Sequence, residues 1–103
     1  MHPNLNITDE QLAAYCRKWR IAEFWLFGSI LRDDFSPASD VDVMVRYEDD
    51  APWTLFDMSE MKFELQELLG RRVDLLTIKG AQGIRNQYRR RAILDSAQRV
   101  YAA

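Results

Sequence analysis

Leu26-Phe27-Gly28-Ser29-Ile30-Leu31-Arg32 and, after six intervening residues, Ser39-Asp40-Val41-Asp42-Val43-Met44-Val45 form the stretch that decides how this chain folds. An apolar run ends at a Gly-Ser corner, and a Val-rich run then carries two acids. Side chains alternate faces along a strand, so Asp40 and Asp42 share one face while Val41, Val43 and Val45 pack on the other. Carboxylates about 7 Å apart on one strand repel unless a cation stands between them. Mg²⁺ suits that place, because it takes carboxylates together with substrate phosphates. The first half of the chain therefore points to a metal–nucleotide site.

The elements around this stretch follow from periodicity. Thr8 with Gln11 fits a capping box, and Leu12, Tyr15, Cys16 and Trp19 repeat as one stripe of an amphipathic helix. Ile21 to Phe27 is nearly continuous apolar sequence, as in a central strand covered on both faces. Gly28-Ser29 opens a short helical turn through Arg32, and Asp33 to Ser39 is a loop broken by Pro37. A second strand covers Val41 to Arg46. Thr54 with Asp57 caps a helix traced by Leu55, Met58, Met61 or Lys62, Leu65, Leu68 and Leu69 and stopped by Gly70. Arg71 to Ile78 reads as a third strand, and Ile84 to Tyr101 as a closing helix. Alternating helices and strands indicate an α/β (α+β) layout with helices packed on a small sheet of about three strands.

With 103 residues the chain is expected to form a single domain over 1–103. No run approaches a membrane span, no signal peptide opens the chain, and a lone Cys16 points to a reducing, cytoplasmic setting. The net charge of −2 is uneven, with −7 over residues 1–78 and +5 over 79–103. A basic tail can meet nucleic acid. Here Arg85, Arg89, Arg90 and Arg91 lack the interleaved aromatics of a stacking platform, so direct nucleic-acid binding is disfavoured.

Gly28 lets backbone approach a phosphate closely, and the helix start beyond it offers free N–H groups. Ser29 adds a hydroxyl donor for a triphosphate, and Arg32, a turn later, contacts phosphate or braces the loop. Taken singly, each motif has a plainer reading. Gly-Ser is a common turn, Asp-x-Asp is often a solvated pair, and Asp74 is an acid within reach of a salt bridge to Arg71 or Arg72. Asp33 and Asp34 read as surface acids. Trp53 and Tyr47 fit burial better than base stacking.

Gly28-Ser29, Arg32, Ser39-Asp40-Val41-Asp42, Arg72-Val73-Asp74 and the Arg-rich C-terminal segment together resemble the nucleotidyltransferase superfamily of DNA polymerase beta. The likeness spans nearly the whole chain and is closest to its minimal nucleotidyltransferases, the MNT proteins. One departure is Asp33, where many relatives have Gly. The resemblance implies a mixed rather than doubly wound parallel sheet. It also implies Asp40, Asp42 and Asp74 as catalytic residues and ligands of Mg²⁺ (two ions), with ATP as nucleotide donor. Asp74 completes the carboxylate set and helps activate the acceptor hydroxyl. It further implies a HEPN-type RNase toxin as partner, neutralised by transfer of AMP to a tyrosine. Two function classes follow: an adenylyl-transferring antitoxin enzyme, and a non-catalytic antitoxin that acts by complex formation. A second copy is a further source of walls for an acceptor pocket, so a homo-oligomer is an alternative.

Overall fold

The computed structural model describes residues 5–32, 35, 36 and 38–103. The readings placed on Asp33, Asp34 and Pro37 lie outside them. The elements run α1 (Asp9–Lys18), β1 (Ile21–Phe27), a 3₁₀ turn (Gly28–Leu31), β2 (Val41–Tyr47), α2 (Leu55–Leu69), β3 (Val73–Thr77), α3 (Ile78–Gln82), α4 (Gln87–Ser96) and β4 (Gln98–Ala102). The sheet order is β3-β2-β1-β4. Strand β1 pairs antiparallel with both β2 and β4, whereas β2 and β3 are parallel. The sheet is mixed, as the resemblance implied, and has four strands rather than about three.

The expected capping box forms at α1, where Thr8 and Gln11 exchange side-chain and backbone bonds, and the Thr54–Asp57 cap at α2 is a capping box as well. Gly70 ends α2 in the left-handed conformation, φ 65°, where glycine carries no Cβ penalty. The third strand is shorter than Arg71 to Ile78, because Thr77 caps α3 by accepting the Gly80 N–H. The closing helix over Ile84 to Tyr101 is corrected. Helix α4 stops at Ala97, whose backbone turns extended, and Gln98–Ala102 continues as the edge strand beside β1. Val100 and Tyr101 there pack against the main core.

The alternation along β2 sorts the sheet into two faces. Val41, Val43 and Val45 join Phe24, Leu26 and Val73 beneath α1 and α2, which contribute Leu12, Tyr15, Cys16, Met61, Leu65 and Leu69. Tyr15 satisfies its buried hydroxyl by donating to the Met61 carbonyl, 2.9 Å away. The opposite face gathers Phe27, Met44, Ala81 and Ile93, with Trp25, Leu76 and Leu94 around them. Trp53 and Tyr47 are structural. Trp53 packs edge-on against Trp19 and donates to its carbonyl, while the Tyr47 hydroxyl lies 3.2 Å from the Met61 sulfur. Leu55 and Leu68, read as part of the apolar stripe of α2, are exposed instead. Among the described residues, no helix is long and apolar enough to cross a membrane.

Candidate active site

Register brings the acids together. Phe27 on β1, Asp42 on β2 and Asp74 on β3 are successive Cα partners across three adjacent strands. Partners in neighbouring strands point to the same face. Asp42 and Asp74 therefore stand at the end of the face that carries Phe27 and Met44, where apolar packing gives way to solvent. Asp42 is half-buried and Asp74 exposed. Asp40 lies just before β2.

Electrostatics record their proximity. The Asp42 carboxyl is raised above the usual carboxylate range, first by burial and then by the charges of Asp74 and Asp40. Arg32 acts in the opposite direction, which places that arginine within electrostatic reach of the site. Asp40 is paired with Arg72, whose Nε lies 3.2 Å from its Oδ1. The Arg72 considered as a partner for Asp74 is thus paired with Asp40 instead. Among the described residues, no three acidic, histidine or cysteine side chains are close enough as they stand to hold an ion. The donor chemistry nevertheless fits a hard divalent cation, because Asp74 and Asp40 both act on Asp42 with a like charge that a cation would offset.

Gly28 has a reason that spacing did not reveal. Its φ is +74°, a region that L side chains rarely adopt, and a Cβ built there would lie 2.2 Å from Asp42 Oδ2. The glycine is where the corner backbone and the strand acid meet. Ser29 Oγ donates to the Asp40 carbonyl at 3.4 Å, tying the corner to the start of β2. The expected helical turn is present as the 3₁₀ segment, and the Arg32 N–H closes it on the Ser29 carbonyl at 2.9 Å. Gly28, Ser29, Arg32, Asp40, Asp42 and Asp74 therefore gather at one end of the sheet. The Arg72–Asp40 contact is the feature that sequence reasoning missed. The adjacency of Arg72 to Val73-Asp74 was its visible signal, but the partner was not.

Residues 9–100 match the family described as nucleotidyltransferase domain, and the chain belongs to it. It is a nucleotidyltransferase with the mixed-sheet fold of that class. Among its relatives is a protein of Methanocaldococcus jannaschii named "Putative protein adenylyltransferase MJ0435". The two are 31% identical over 74 residues, which span 72% of this chain and 77% of the relative. A second protein of that organism, "Putative protein adenylyltransferase MJ1217", is 32% identical over 74% of this chain and 72% of its own length. A solved structure described as a "putative minimal nucleotidyltransferase" superposes with a TM-score of 0.64 at 29% identity, covering 86% of this chain and 85% of that one. A crystal structure described as "the toxin-antitoxin with AMP-PNP" gives a TM-score of 0.70 over 94% of this chain and 75% of that one. At 16% identity, that match speaks for the fold alone.

Proposed function

We propose that this chain is a Mg²⁺-dependent protein adenylyltransferase that moves AMP from ATP onto a tyrosine of a HEPN toxin, and so acts as its antitoxin. The observation that carries the reading is the convergence of Asp40, Asp42 and Asp74 beside the Gly28-Ser29 corner. The names of the relatives as protein adenylyltransferases, and of fold neighbours as members of a toxin–antitoxin pair, support the acceptor class.

Asp40, Asp42 and Asp74 would hold Mg²⁺, which when bound supplies positive charge against the phosphoryl oxygens. Asp42 gains from a cation, since its carboxylate is otherwise disfavoured by burial and by its two acidic neighbours. Gly28 and Ser29 line the corner against which the triphosphate rests, and Arg32 adds charge beside it. Asp74, exposed at the rim, takes the phenolic proton as the tyrosine oxygen bonds to the α-phosphorus and the bond to pyrophosphate breaks. All these groups lie within residues 1–103, which we take as one minimal catalytic domain.

The test is incubation of the chain with its co-purified partner, Mg²⁺ and each labelled triphosphate, followed by mass mapping. The expected result is AMP on a partner tyrosine, absent with Asp42→Asn. The pairing of Asp40 with Arg72 favours a second reading, neutralisation by binding without transfer. Full neutralisation of the toxin by Asp74→Asn in a growth assay, with no AMP added by the wild type, would establish that reading instead.

A further inference from the structure

Helix α2 buries Met61, Leu65 and Leu69 against the sheet and turns the opposite side outward. Phe56, Glu60, Phe63 and Glu67 lie at i, i+4, i+7 and i+11, one straight line along that outer side. Phe56 is 74% exposed and Phe63 62%, with Leu55 beside them at 83%. Aromatic rings left in water along one line mark a surface that something else covers. No salt bridge among the described residues engages Glu60 or Glu67.

The line leads toward Arg71 and Arg72. At its C-terminal end Phe63 and Glu67 border a groove of about 450 Å³ whose far side is Arg71 and Arg72. Arg72 is the residue paired with Asp40. A segment laid along α2 therefore ends beside Arg71 and Arg72, at the end of the sheet where Asp40 lies and across the sheet from the face that carries Asp42 and Asp74.

Charge selects the occupant. A second copy packed antiparallel about Phe56 and Phe63 would bring the two Glu60 carboxylates together beside the two-fold axis, and unscreened like charges there oppose dimerisation. Nucleic acid and anionic membranes are repelled by the same carboxylates and by the −7 charge of residues 1–78. We infer that the Phe56–Glu60–Phe63–Glu67 line of α2 is the docking surface for a basic, amphipathic helix of the acceptor protein. Apolar side chains of that helix cover the two rings, and its Lys or Arg residues meet Glu60 and Glu67. The inference rests on the proposed transfer to a protein acceptor, and it says where that acceptor is gripped.

The probe is a synthetic 21-residue helix with leucine along one seam and lysine flanking it, with a counterpart carrying glutamate in place of lysine. Binding to the full chain is read by calorimetry without nucleotide, so it stands or falls apart from transfer. The expected result is binding of the lysine helix at least about tenfold tighter than the glutamate helix, with about a tenfold loss for Phe56→Ser or Phe63→Ser. Glu60→Lys with Glu67→Lys should invert the preference. Asp42→Asn should bind as the wild type does, even if transfer proves absent. All the substituted α2 positions face solvent, and melting curves are to be recorded to check that the variants fold. Equal affinity for both helices, or no effect of either Phe variant, overturns the inference. So does a wild-type dimer in sedimentation that Phe63→Ser makes monomeric, because the occupant is then a second copy.

Discussion

Replacing Gly28 by alanine tests the site through a single methyl group, and Gly70 supplies a matched control. Both glycines have positive φ, +74° and +65°, so alanine meets a similar backbone penalty at each. That penalty is about 1–2 kcal/mol, which for a domain of this length lowers the melting temperature by roughly 5–15 °C. The surroundings differ. A Cβ at Gly70 meets nothing within 4 Å, whereas at Gly28 it falls 2.2 Å from Asp42 Oδ2. Ordinary contact begins near 3.4 Å, so Asp42 or the corner must move by about 1 Å, a displacement able to cost about 10²-fold in rate. Gly70→Ala should therefore melt earlier yet keep its nucleotide-induced stabilisation and its transfer rate. Gly28→Ala should lose at least as much stability and about 100-fold in transfer, measured where both variants are folded. Thermal melts with and without Mg-ATP, together with single-turnover transfer, separate the two. If Gly28→Ala transferred as fast as Gly70→Ala, the contact between corner and acid would have no part in the chemistry.

The remaining predictions concern the acids, the corner hydroxyl and the buried core. Asp42→Asn removes a half-buried charge that Asp74 and Asp40 oppose, so it should raise the melting temperature while abolishing stabilisation by Mg-ATP; equal nucleotide shifts in variant and wild type would exclude Asp42 from the site. Asp74→Asn, at an exposed position, should bind Mg-ATP and fold normally but lose most of its transfer rate, read by single-turnover kinetics on one preparation. Ser29→Ala should weaken ATP affinity by about 1–2 kcal/mol with little change in stability, since its 3.4 Å bond to the Asp40 carbonyl is long. Burial pushes the Cys16 thiol up to about 12 from an ordinary 9.0 and raises the Tyr15 phenol still further. Their stabilising contribution is complete below pH about 9 and is lost as pH rises, by about 1.4 kcal/mol per pH unit for each group that would ionise on unfolding. Denaturant titrations at pH 8 and 10.5 check this, and Cys16 should resist thiol reagents until the protein unfolds.

The legible parts of this protein are those governed by neighbours a few residues apart. Thr8 with Gln11 and Thr54 with Asp57 announce helix starts because a capping box closes over three residues. Gly70 announces a stop because the left-handed backbone is local, and the period of two along Val41 to Val45 sorts acids from valines whatever lies beside the strand. The pairing of the Gly28-Ser29 corner with Asp40 and Asp42 was likewise readable from two motifs close in the chain, whereas Asp74 was set beside them only through the resemblance to nucleotidyltransferases. Other features needed the assembled sheet. Residues 98–102 continue an Arg-rich run that reads as helix, and they become a strand because β1 presents an open edge whose backbone groups need partners. Leu55 and Leu68 fit an apolar pattern but face water, because the sheet meets only the side of α2 that holds Met61 and Leu65. The pairing of Arg72 with Asp40 and the closeness of Gly28 to Asp42 join residues 32 and 14 positions apart. Spacing along the chain fixes local conformation, but which distant residues touch depends on which strands become neighbours, and only tertiary packing decides that.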